Sequence, residues 1–210
     1  MLQGVWLPMR VWMSLAVMTV AGAVIERPAT AEDLRSYEDG PLTAADFLGE
    51  VPADPGGDAN TATKLGCSYR YSYRVVGGRT TLTVEELTVE AFVRRDASWN
   101  RRPMNAALML HEQGHADIAW ISCLQARLAF QEKMPRGRHW RFTGASLKDA
   151  VAKLDAAVAE IMKPFEVSGR EADAAYDRET RHGLGPKQSE WRRVHQATIE
   201  ELEAKLAKQR

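Results

Sequence analysis

The sequence predicts an α+β fold, with a small set of antiparallel strands followed by a series of helices. Three observations carry that expectation. Ser68 to Val76 alternates with period two and runs into Gly77-Gly78, the signature of a strand entering a hairpin turn. A helical pattern then extends from Pro103 to about Lys133. Beyond Ser146, apolar residues recur at helical spacing behind two capping patterns.

In chain order, Met1 to Arg10 carries one positive charge, Val11 to Ile25 is an apolar run, and Ala29-Thr30-Ala31 has the A-x-A form. This is the pattern of a secretory leader, with cleavage expected after Ala31 and a periplasmic or secreted product. The apolar run is short for a bilayer span, and no later segment has the length, so no stable membrane insertion is expected after cleavage. Glu32 to Lys64 is acidic and rich in Gly, Pro, Ala and Thr. It is expected to form an irregular arm with a helical turn near Ala44–Leu48, then a flexible linker around Asp54–Asp58 with no chemistry of its own. The expected organisation is therefore a leader over 1–31, an arm over 32–66 and one domain over 67–210.

The first strand places Tyr69, Tyr71, Tyr73 and Val75 on one face, where packing is the expected role of the tyrosines. Thr80 to Glu86 returns with Leu82 and Val84 inward, and Thr88 to Arg95 reads as a third strand. The helix from Pro103 to Lys133 is apolar on most of its circumference and is stopped by Met134-Pro135-Arg136-Gly137. In the loop that follows, His139 is expected to be exposed or half-buried and is not nominated as a ligand. Ser146 caps a helix expected to end at Pro164, Ser168 caps a second that stops at Gly183, and Pro186 opens the last.

Charge excludes some partners. Without the leader, 26 basic residues face 27 acidic ones, with no polybasic patch. Neither nucleic acid nor an anionic membrane surface is indicated. Cys67 and Cys123 are the only cysteines. In an oxidising compartment they are expected to pair, since neither has the C-x-x-C neighbour that zinc ligation favours.

The chemistry lies in the long helix. His111-Glu112-Gln113-Gly114-His115 is an H-E-x-x-H pattern. Residues four apart share a helix face, about 6 Å apart along the axis, so both imidazoles can converge on one zinc ion. Glu112 then stands beside the metal and can act as general base towards a zinc-bound water. Gly114 inside a helix costs about 1 kcal/mol relative to alanine, so a close approach by another element is expected there. A catalytic zinc needs a third protein ligand. Neither Ile118 nor Ile121, where an extended motif would place a Gly and a His, supplies it.

Downstream, Tyr176-Asp177-Arg178-Glu179-Thr180-Arg181-His182-Gly183 is dense in donors. His182, next to a helix-ending glycine, is the favoured third ligand, with Glu179 one turn earlier as the alternative. Asp177 lies about 140° from His182 on an ideal helix. It suits a supporting hydrogen bond to a ligand imidazole better.

Those two motifs, with Gln188 and Trp191, resemble a family of bacterial predicted secreted zinc-dependent proteases. The resemblance covers approximately Tyr69 to Leu206. It implies a zincin-like fold, with a small antiparallel sheet packed on the buried HExxH helix and further C-terminal helices. It also implies export, one zinc ion per chain and a peptide or protein substrate. The expected function is thus an exported zinc metallopeptidase with Glu112 catalytic and His111, His115 and His182 on the metal. An extended substrate is expected to add beside Val89–Val93. The alternative is a non-catalytic exported module with a structural metal site.

Overall fold

In the computed structural model, residues 34–101, 105–134 and 139–208 are described. The leader, Pro103 and the helix-stopping Pro135–Gly137 lie outside them. The architecture is mixed α+β, a small antiparallel sheet with three helices.

A long hairpin dominates the sheet. Strand β3 (Thr63–Val76) turns at Gly77-Gly78 into β4 (Arg79–Arg94). Both turn glycines have positive φ, as a tight two-residue hairpin requires. The return is one continuous strand, not the two expected. A bulge between Arg70 and Tyr71 in the pairing with β4 absorbs Glu85 and keeps both Leu82 and Val89 buried. Tyr71 is buried, with Tyr69 and Tyr73 packed against the same cluster.

On its other edge β4 pairs with two short strands, β1 (Leu34–Ser36) near its end and β6 (Arg141–Gly144) near its start. A separate two-stranded ladder joins β2 (Ala59–Asn60) to β5 (Trp99–Asn100). The segment expected to be an irregular arm is thus part of the fold, and β3 starts inside it. Leu42 and Phe47 pack on Ala116 and Val93, and Tyr37 stacks on Trp120 with centroids 4.9 Å apart. The Leu42 N–H donates to Gln113 and the Tyr37 hydroxyl to Asp117, at 2.8 and 2.9 Å.

Helix α1 (Ala106–Lys133) begins at Asn105, whose side chain accepts from the Leu108 N–H. It packs against β3, β4 and both other helices, which explains why its apolar residues wrap the axis. Helix α2 (Leu147–Thr180) is continuous through Pro164, where a break was expected. Pro164 cannot donate to Glu160, but both residues are exposed, so water can cover that carbonyl. Buried Leu154, Val158 and Met162 before it, and Tyr176 and Thr180 after it, hold the two halves. Ser168 is accordingly no cap. Helix α3 (Gln188–Lys208) closes the chain, starting two residues after Pro186 and burying Ile199, Leu202 and Leu206.

Cys67 and Cys123 are free thiols placed around one residue: Cys67 is the ladder partner of Val89, and the Cys123 thiol donates to the Val89 carbonyl. Burial pushes both thiols up to about 12. No helix among the described residues is long and apolar enough to cross a membrane.

Candidate metal centre

His111 and His115 project from one face of α1, and their environments assign their tautomers. The His115 Nδ1–H donates to Asp173 Oδ1 at 2.6 Å, because an ionised carboxylate can only accept. His111 Nδ1 faces Thr180 Oγ1 and Gln188 Oε1, each at 3.4 Å. The Thr180 hydroxyl already donates to the Tyr176 carbonyl at 2.7 Å, so towards His111 its oxygen can only accept. Both imidazoles therefore carry a proton on Nδ1 and turn Nε2 inward.

What lies inward is Asp177. Its Oδ1 stands 3.1 Å from His111 Nε2 and 3.2 Å from His115 Nε2, and the two Nε2 atoms are 3.3 Å apart. His182 Nδ1 approaches the same oxygen at 3.3 Å. Ligands about 2.0–2.1 Å from a tetrahedral ion are spaced about 3.3 Å from each other. His111, Asp177 and His182 form a possible metal-binding triad, with donor atoms all within 4.8 Å of one another. His115 extends it.

The ideal-helix expectation separated Asp177 from His182, and here the structure differs. Helix α2 ends at Thr180, and Arg181 (φ 52°, ψ 50°) and His182 (φ 51°) both take left-handed backbone. The chain thus leaves the helical path and folds His182 back towards Asp177. Two successive non-glycine residues in that region cost of order 1–3 kcal/mol each, which the surrounding contacts must offset. Hydrogen bonds from the Arg181 and His182 N–H groups to the Asp177 carbonyl, and from Gly185 to Thr180, hold the turn. Gly183 follows at φ 82°, where an added Cβ would lie 3.0 Å from His111 Cβ. Glu179, the alternative ligand, is turned away and is bound instead by Lys187 and the Trp191 indole.

Glu112 is 2% exposed and lines a cleft of about 290 Å³ together with His111, His115, Asp177 and His182. Burial raises its pKa, against the lowering effect of the Thr61 hydroxyl and both histidines. Thr61 donates to Glu112 Oε2 at 2.7 Å. This is the contact that sequence reasoning missed, since Thr61 lies in the supposed linker. The β2–β5 ladder and an Asp58–Arg101 ion pair at 2.6 Å pin that segment across the cleft.

Burial disfavours a charged His115, but the hydrogen bonds to Asp173 and Asp177 outweigh it and raise its pKa to about 10. Asp177 feels the reverse: burial would raise it, but hydrogen bonds from His111 and His115 hold it well below the usual carboxylate range. Tyr176 packs the site from behind. Its ring stacks on His111 at 4.8 Å, and its hydroxyl donates to the His111 carbonyl and accepts from Gln188. An added Cβ on Gly114 would lie 2.2 Å from the Tyr176 hydroxyl, so α2 is the close neighbour that this glycine admits.

Val89–Val93 offers no free edge to a substrate. β3 pairs along one side, while β1, Cys123 and Arg127 occupy the other. Among the described strands, β3 is the one left with a long unpaired edge. No family model, curated protein or solved structure matches the chain.

Proposed function

We propose that this chain is an exported zinc-dependent peptidase of zincin-like design, in keeping with the family resemblance of its two motifs. The observation that carries the metal is the facing pair of Nε2 atoms. With Nδ1 of both rings turned to acceptors, the two Nε2 atoms face each other across 3.3 Å beside Asp177, which takes hydrogen bonds from them in the metal-free protein. A divalent cation can take the place of those protons, and an N,N,O donor set suits zinc. His111, His115 and Asp177 would hold it, with His182 as a fourth donor at the more exposed mouth, its side chain 58% exposed. Bound there, zinc would supply Lewis-acid polarisation of a carbonyl and acidify a water.

The protein's own groups do the rest. Glu112, buried beside His111 and open to the cleft, is placed to accept a proton and return it to a leaving amine. Thr61 fixes one of its oxygens and leaves the other to act. Asp173, Thr180 and Gln188 hold the two imidazoles in the ligand tautomer. An extended substrate is favoured by the shape of the surroundings. A hollow of about 300 Å³ shares His182 and Asp58 with the cleft, and another of about 360 Å³ shares Asp173 with it.

One observation favours a second reading. Three imidazoles face Asp177 Oδ1, and a four-ligand set with no open position is the mark of a structural zinc. The two readings separate in one experiment: metal content is measured on purified protein, and a peptide library is digested with wild type and Glu112→Gln. The peptidase reading expects one zinc per chain in both proteins and cleavage by wild type alone. Equal inactivity, with zinc raising the melting temperature of both, would establish the structural site instead. Asp177→Ala is expected to lose the metal.

A further inference from the structure

Resting on the peptidase reading, the hollow beyond Asp173 has a composition that points to one occupant. Asp173 belongs to both walls: its carboxylate holds His115, and it lines the 360 Å³ hollow as well. The floor is apolar, made by Ile118 and Ala119 of α1, Leu65 of β3 and Phe165 of α2. Ser122 also lines it, but its hydroxyl donates to the Ile118 carbonyl at 3.1 Å, so no donor is left to point inward. The charged lining is balanced, with Lys64 and Arg170 against Glu166 and Asp173.

The backbone beside the hollow is set up as well. The Arg94 N–H donates to the Ala62 carbonyl at 2.8 Å, which makes 62 and 94 a hydrogen-bonded pair. Alternation along an antiparallel ladder then turns the N–H and C=O of Thr63 and Leu65 away from β4, towards the unpaired edge of β3. A peptide lying along that edge would drop a side chain into the hollow while its neighbouring bond approaches Glu112.

We infer that this hollow is a specificity subsite for a bulky apolar side chain of the substrate. Its volume is at the small end of the about 300–1,000 Å³ typical of ligand pockets, which suits a leucine or aromatic side chain.

The test uses zinc-loaded protein and binding calorimetry. Acetohydroxamate anchors to the metal alone, and a series of peptidyl hydroxamates varies one side chain through Ala, Leu, Phe and Lys. Leu and Phe probes are expected to bind about tenfold tighter than Ala, as burial of that apolar area allows, with Lys no better than Ala. Thr63→Trp, at an exposed strand position on the rim, is expected to erase the side-chain dependence and leave acetohydroxamate binding unchanged. A flat side-chain series with acetohydroxamate still bound would overturn the subsite and leave the metal site standing. If acetohydroxamate fails to bind zinc-loaded protein, the metal-site reading falls and the subsite with it.

Discussion

Alanine at position 114 sets two physical effects against each other. Within a helix, Gly→Ala gains up to about 1 kcal/mol from propensity alone. Here the new methyl would stand 2.2 Å from the Tyr176 hydroxyl oxygen, 2.4 Å from its Cζ and 2.8 Å from its Cε1. Ordinary carbon contacts are about 3.5–4.0 Å, so the ring would have to retreat by more than 1 Å. Tyr176 is 1% exposed, stacked on His111, edge-on to Trp191 and hydrogen-bonded at its hydroxyl, so it cannot swing aside. The strain passes to α2, which carries Asp173 and Asp177. Overpacking of this kind costs about 1–3 kcal/mol. Net of propensity, Gly114→Ala is expected to melt up to about 8 °C lower and to bind zinc at least about tenfold more weakly. Thermal unfolding of zinc-free protein and chelator-competition titration measure the two effects. On a Tyr176→Ala background the clash is gone, and the same substitution should instead stabilise by about 1 kcal/mol. A Gly114→Ala protein that melts higher than wild type with unchanged zinc affinity would refute the packing argument.

Three further outcomes follow from the site. Asp173→Asn keeps the size of the side chain but weakens its grip on His115 Nδ1, and zinc affinity is expected to fall about 10–100-fold, read by chelator competition. In zinc-free protein His115 has its pKa raised from 6.5 to about 10, so its contribution to stability is complete below pH 6.5 and is lost as pH rises through 10. Denaturant midpoints across that window test this; zinc affinity should climb over the same range, because the metal displaces that proton. His195 is buried with both ring nitrogens lacking a hydrogen-bond partner, and burial lowers its pKa. His195→Leu is therefore expected to stabilise by about 1 kcal/mol with zinc affinity intact, and a lower melting temperature would show the imidazole to be satisfied.

How much of this was legible in the sequence depends on the range of the interaction that fixes each feature. The hairpin turn at Gly77-Gly78, the buried helix and the inward pair His111–His115 rest on local periodicity, and each stands as read. Period-two and period-3.6 patterns are written by neighbours in the chain, so composition suffices. The bulge that keeps β4 one strand was invisible, since only its pairing with β3 reveals it. So was the continuation of α2 through Pro164, where packing on either side outweighs a local breaker.

The metal centre divides along the same line. By itself the sequence determined that two imidazoles share one helix face, because a four-residue spacing on a helix admits no other result, and that Glu112 stands next to the first of them. It also named the stretch that would answer them. Which residue of that stretch comes inward was decided by tertiary structure. The left-handed turn at Arg181 and His182, braced against His111, overrides the 140° of an ideal helix and gathers Asp177 and His182 at one point. Thr61 was likewise beyond reach, because a hydroxyl in a polar, glycine-rich stretch acquires meaning only when a distant ladder pins it 2.7 Å from a buried glutamate.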